Sequence, residues 1–326
     1  MNKILVTGSA GFIGSALTIN LLNRGNKVLG IDNHNDYYEI SLKEDRLKRY
    51  ANHPNYSHLR IDLCDNKSIE DAFTKFKPAC VVNLAAQAGV RNSIINPLSY
   101  INSNIVGFNN ILESSKKIDI KNLVYASSSS VYGGNTNIPF TEDQQVNHPL
   151  NLYAATKKSN ELMAHSFSHI HGIPATGLRF FTVYGPWGRP DMAPMIFAKN
   201  ILSRKPISIF NFGRMSRDFT FISDIVEGTY LCCLKPPIDT DSTSSKQHKV
   251  FNIGNGKPVD LLNFIEILED SFKIKSIKSF EELQPGDVEK TWADTKSLFN
   301  WIGYEPKVKI EEGIPLFVKW YLSYFM

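Results

Sequence analysis

Cysteine is scarce here. Cys64, Cys80, Cys232 and Cys233 are the four in 326 residues, and none is spaced as CxxC. That excludes a disulfide-stapled scaffold, and the four read as buried apolar residues in a reducing compartment. Long apolar runs are missing as well: no stretch approaches the roughly 20 residues that span a bilayer, so no membrane partner is expected. The N-terminal MNKILVTGSAGFIG is apolar but has neither the charged start nor the cleavage region of a signal peptide, and the cytoplasm is the expected location. An excess charge of one sign is nearly absent, since 36 Lys and Arg against 32 Asp and Glu leave +4 without a basic stripe. Nucleic acid is therefore not an expected partner, although a mild positive balance suits a doubly charged diphosphate. No repeat recurs at solenoid spacing.

What is present is the pattern of an α/β enzyme. Hydrophobic residues at 42% and charged residues at 21% are ordinary for a globular chain and exclude wholesale disorder. Short β-type runs alternate with helix-length segments: Lys3 to Thr7, Lys27 to Ile31, His58 to Ile61, Cys80 to Leu84, Asn122 to Ala126 and Ala175 to Phe181. That rhythm predicts a doubly wound, Rossmann-type parallel sheet with helices on both faces. Ile13, Leu17 and Leu21 share one helical face, as do Ile101, Ile105, Phe108 and Leu112, and both sets read as core stripes. After about Gly185 the elements shorten, with strands near Ile207 and Val250 and helices near Ile225, Leu262 and Ile314. Residues 1–184 are thus expected to form a dinucleotide-binding domain, and 185–326 mainly a smaller α/β lobe with some elements returning to the first. The polar stretch Ile238 to Lys249 reads as a surface loop.

Gly8, Gly11 and Gly14 form GxxGxxG straight after the first strand, where the amides of a helix start, Phe12 and Ile13 among them, can hold a pyrophosphate. Asp32 ends the second strand about 20 residues later, placed to accept hydrogen bonds from an adenosine ribose. The adjoining Asn33, His34 and Asn35 bring no cation for a 2′-phosphate, which favours NAD over NADP. Asp62 with Leu63 after the third strand, and Leu84, Ala85 and Ala86 after the fourth, complete the expected groove.

YAATK sets Tyr153 and Lys157 four apart, on one face of a helix. A buried ammonium beside the phenol, together with a positive nicotinamide, is expected to bring the phenol from its reference near 10 toward neutrality. Tyr153 could then take a proton from an alcohol as its carbon is oxidised. The serine run 127–130 offers a hydroxyl to the same oxygen and carries no carboxylate. YxxxK and a serine run are each common by chance, but together with the glycine motif and the strand rhythm they are not. His165 and His169 have helical metal spacing without a third ligand, so no metal is expected. Trp187 could stack on substrate or fill the lobe interface.

Over essentially its whole length the chain resembles the extended short-chain dehydrogenase/reductase family of sugar-nucleotide epimerases, most of all those acting on UDP-glucuronate. The resemblance lies in GSAGFIG, GIDNHNDYY, NLAAQAGVR, ASSSSVYG, YAATK, GLRFFTVYGPWGRPDMA, RDFTFISDIVEG and QPGDVEKTWADT. It implies Ser128 as catalytic serine, with Ser129 its near substitute, and inversion of the C4 hydroxyl of a UDP-sugar through a 4-keto sugar. It sets Thr182 and Arg189 beside the sugar, Arg217 at the diphosphate and Asp287 near the nucleotide ribose. Arg189 suits a sugar carboxylate. Gln284 stands where relatives often carry Arg, and Arg91 is a candidate replacement. A homodimer is implied too. The alternatives are an epimerase of another UDP-hexose, a UDP-glucuronate decarboxylase or a dehydratase, and, most remotely, a non-catalytic NAD sensor; a dehydratase or decarboxylase would be expected to carry a carboxylate in the serine run.

Overall fold

The computed structural model describes residues 2–237, 247–284 and 286–326. Six strands fall where the alternation places them: β1 (Lys3–Thr7), β2 (Lys27–Ile31), β3 (Tyr56–Leu59), β4 (Cys80–Asn83), β5 (Asn122–Ser128) and β6 (Ala175–Phe180). With the strand His248–Ile253 at one edge, they form a single parallel sheet in the order His248–Ile253, β6, β5, β4, β1, β2, β3. Both faces are covered, which is why the strands read as continuous apolar runs. Ile4, Val6, Val82 and Val124 belong to one core, while Leu5, Val81 and Leu123 belong to the other.

Strand order reverses between β1 and β4, and this leaves a crevice at the C-terminal ends of those strands. Every loop carrying a candidate cofactor residue opens there. The second half adds three short strand pairs, Thr182–Tyr184 with Phe219–Phe221, Pro206–Ile209 with Ile277–Phe280, and Ser216–Arg217 with Val259–Asp260. Phe219 stacks on Phe264 at 4.4 Å, and this aromatic centre runs on into one core of the sheet. The halves are also interleaved. The helix Ile222–Leu234 packs on the helix Phe12–Asn23, where Arg24 pairs with Glu227 at 2.6 Å.

Three expectations need correction. Residues Ile101–Val106 form a π-helical turn, which shifts the helical phase. Ile101 is consequently 39% exposed, and Asn104 faces inward instead. Cys64 is exposed in the turn after β3 rather than buried, while Cys80, Cys232 and Cys233 are buried. The expected loop 238–249 is only partly testable: 238–246 lie outside the described residues, and His248 and Lys249 open the edge strand. Among the described residues no helix is long and apolar enough to cross a membrane.

Candidate active site

Gly8 leaves β1 at φ +70°, and a Cβ there would stand 2.8 Å from the Ala85 nitrogen. A Cβ on Gly14 would fall 2.0 Å from the Gly8 carbonyl oxygen. These positions let the helix Phe12–Asn23 start hard against the sheet. Its first turn has no capping side chain, which leaves those N–H groups to an anion. Asp32 accepts the amides of Ala10 (3.1 Å) and His34 (2.9 Å), one on each oxygen. A carboxylate has about four acceptor sites, so capacity for a ribose diol remains. Asp62 accepts the Asn33 side chain at 2.8 Å. Asn33, Asp62, Leu63, Leu84, Ala85 and Ala86 line the same cleft, of about 930 Å³, as the glycine turn. This cradle fits a dinucleotide.

Lys43 was not foreseen. It reaches the cleft from the helix Ile40–Lys48, donating to the backbone and side-chain oxygens of Asn35 at 2.6 and 2.5 Å, and burial depresses its affinity for a proton. Reading only the residues beside Asp32 misses a cation delivered by the next element.

The helix Leu152–His171 begins at Asn151, whose side chain accepts the Ala154 amide at 2.9 Å. This cap sets Tyr153 and Lys157 at the cleft floor, beside Ser128 and Ser129 at the end of β5. Ser128 stands near enough to the Tyr153 phenol to lower its affinity for a proton. Ser128 in turn donates to Ser130 at 3.2 Å. The phenol, however, is not near neutrality in the chain alone. Burial raises it, and Ser128 and the Arg189 charge only partly offset that. Lys157 donates to the Ala126 carbonyl at 2.9 Å, and burial pushes its ammonium down to about 8.

Ser127 points elsewhere. It donates to Glu161 at 2.7 Å, and Glu161 holds Arg179 through two bonds of 2.8 and 2.9 Å. Burial would raise the Glu161 carboxyl, but Arg179 outweighs it and keeps the group ionised below its usual range.

Thr182, Arg189, Arg217, Asp287 and, from the loop after β4, Arg91 line the cleft as well. Arg217 is a half-buried guanidinium that donates to the Ser216 and Glu289 carbonyls, both at 2.9 Å, and loss of water around it lowers its proton affinity. Arg189 does not stand open as an unshared fork, because Asp191 already pairs with it at 2.5 Å. Arg91 is likewise engaged, meeting Asp287 at 3.2 Å across the cleft mouth and stacking on Phe210. Gln284 accepts the Asp287 amide through its carbonyl, and Pro285 of QPGD lies outside the described residues. Trp187 packs on Trp320 and Tyr324 and carries the Arg49 guanidinium 4.8 Å from its ring centre, so it fills the interface between the halves. His165 and His169 are exposed, and no metal-binding cluster occurs among the described residues.

A doubly wound parallel sheet with a Tyr/Lys pair and a serine turn at the strand ends is the architecture of a short-chain dehydrogenase/reductase enzyme. The chain belongs to the NAD dependent epimerase/dehydratase family, whose profile matches residues 4–254. It is 51% identical to "Protein CapI" of Staphylococcus aureus over 99% of both chains. It is 42% identical to a probable UDP-glucuronate 4-epimerase of Rhizobium meliloti, covering 98% of this chain and 96% of that one. Among solved structures, UDP-glucuronic acid 4-epimerase from Bacillus cereus, in complex with UDP-glucuronic acid and NAD, superposes with a TM-score of 0.91 at 32% identity. That match covers 99% of this chain and 100% of the other.

Proposed function

We propose that this chain is an NAD-dependent epimerase that inverts the C4 hydroxyl of a UDP-sugar, interconverting UDP-glucuronate and UDP-galacturonate. The observation that carries the reading is the serine turn against Tyr153: it offers hydroxyls alone, with the neighbouring carboxylate Glu161 locked onto Arg179. The Rhizobium and Bacillus proteins, named for this activity, support the same substrate.

NAD, when bound, supplies the hydride acceptor and donor for C4. Tyr153 takes the C4 hydroxyl proton, and Ser128, beside it in the cleft, shares that oxygen. Lys157, one helical turn on from Tyr153, lines the same cleft as a buried ammonium, and NAD when bound would add positive charge that favours ionisation of the phenol. Arg217 suits the diphosphate because it is a half-buried cation whose hydrogen bonds within the chain go to backbone carbonyls only, with no carboxylate to neutralise it. Thr182 and Arg189 hold the sugar. Asp287 serves the nucleotide ribose, for which it must share or release Arg91. Because the serine turn brings no carboxylate and Glu161 is held by Arg179, the keto sugar turns over and is reduced on its opposite face.

Residues 1–184 carry the cofactor and the chemistry, and 185–326 mainly grip the nucleotide sugar. The cytoplasm fits three buried free thiols. A homodimer is supported by Leu98 and Ile101 beside Leu162 and Ile170, all exposed apolar groups on neighbouring helices; a monomer in sedimentation would refute it.

Incubation with UDP-glucuronate, followed through anomeric proton NMR, tests the reading. A galacturonate signal is expected, whereas a pentose product or an inert acid substrate would overturn it.

A further inference from the structure

The acid subsite holds more than Arg189. Its Nε donates to one Asp191 oxygen at 3.1 Å and its Nη2 to the other at 2.5 Å. Asp191 also accepts the Tyr37 hydroxyl at 3.0 Å, across the cleft from the loop after β2. The turn bearing Arg189 is pinned a second time. Arg46, fully buried, donates to the Trp187 and Gly188 carbonyls at 2.7 to 3.0 Å and to Ala10 of the glycine turn at 3.3 Å.

A guanidinium has five N–H donors, and this side-on grip spends two, leaving the outer Nη edge open. Tyr37, Arg189 and Asp191 all line the cleft. An Asp that merely competed for Arg189 would need freedom to swing away. Asp191 has little, since Tyr37 holds it from outside and the Met192 amide closes the turn onto the Arg189 carbonyl at 3.1 Å.

We infer that Asp191 and Tyr37 are positioning residues for acid recognition: Asp191 grips Arg189 by its Nε edge, Tyr37 fixes Asp191, and the outer Nη edge meets the sugar carboxylate. The inference rests on the uronate reading above. Neither residue touches the reacting carbon, so their removal should show in substrate affinity.

The test compares Asp191→Ala and Tyr37→Phe with the unsubstituted protein. KM for UDP-glucuronate should rise about tenfold in Asp191→Ala and about threefold in Tyr37→Phe, with kcat changed far less, as loss of one aligned charged contact implies. Inhibition by UDP, which lacks the sugar, and the NAD content of the protein should stay at the unsubstituted level in both. Tyr37→Phe removes a single hydroxyl and keeps the test open if Asp191→Ala folds poorly. An unchanged KM, a KM that falls because Asp191 was a competitor, or UDP inhibition weakening in parallel would each overturn the inference alone. An unsubstituted protein inert toward UDP-glucuronate would overturn the uronate reading and this inference with it.

Discussion

Tyr153 and Lys157 share one environment, but burial acts on them in opposite senses. It raises the phenol and lowers the amine, since in each case the charged form loses water. Tyr153→Phe removes only the transferable proton, so NAD should stay bound while turnover falls by at least about a thousandfold; retained activity would take Tyr153 out of its role. The amine makes a separate prediction in stability. Folded Lys157 releases its proton near 8, whereas in the unfolded chain it holds the proton to about 10.4. Between those values the unfolded state binds more protons, so stability conferred at this site rises with pH. Denaturant unfolding of the protein and of Lys157→Met should show the difference moving in favour of the unsubstituted protein as pH climbs from 8 to about 10.4. A pH-independent difference would contradict it. The spacing of Tyr153 and Lys157 was legible because four residues is one helical turn. Asp191, Tyr37 and Lys43 were not, since their roles arise from contacts between distant segments.

At the scale of elements, the helix Leu152–His171 works as a ruler. Tyr153, Lys157 and Glu161 follow at successive turns, the first two reaching the cleft and the third anchoring β5 through Ser127 and β6 through Arg179. Glu161→Gln leaves Arg179 as an uncompensated buried charge, so unfolding free energy should drop by roughly 3–5 kcal/mol. A change under about 1 kcal/mol in denaturant titration would refute this brace. Strand positions were legible from apolar runs to within two residues, because both sheet faces are buried. The stripe through Ile101 was not, because the π-helical turn breaks the 3.6-residue period. It brings Asn104 inward, where its side chain donates to Gln87 (3.0 Å) and Thr156 (2.9 Å), and its carbonyl accepts Asn160 at 2.6 Å. No apolar pattern announces a buried asparagine that ties the β4 loop to the catalytic helix.

The whole molecule is a crevice between interleaved halves. The loosening of the α/β rhythm after Gly185 matches the short strand pairs found there. The return of the strand His248–Ile253 to the sheet was legible only as a strand, since its neighbour β6 lies some seventy residues earlier. This arrangement holds a serine turn, a phenol and an amine on one wall, facing cationic residues on the other. In this reaction C4 alone changes, losing and regaining the same hydrogen. The direct measurement is conversion of UDP-glucuronate in heavy water, with the galacturonate product read by proton NMR. Protium at both C4 and C5 is the predicted result, and deuterium at either carbon would contradict the account.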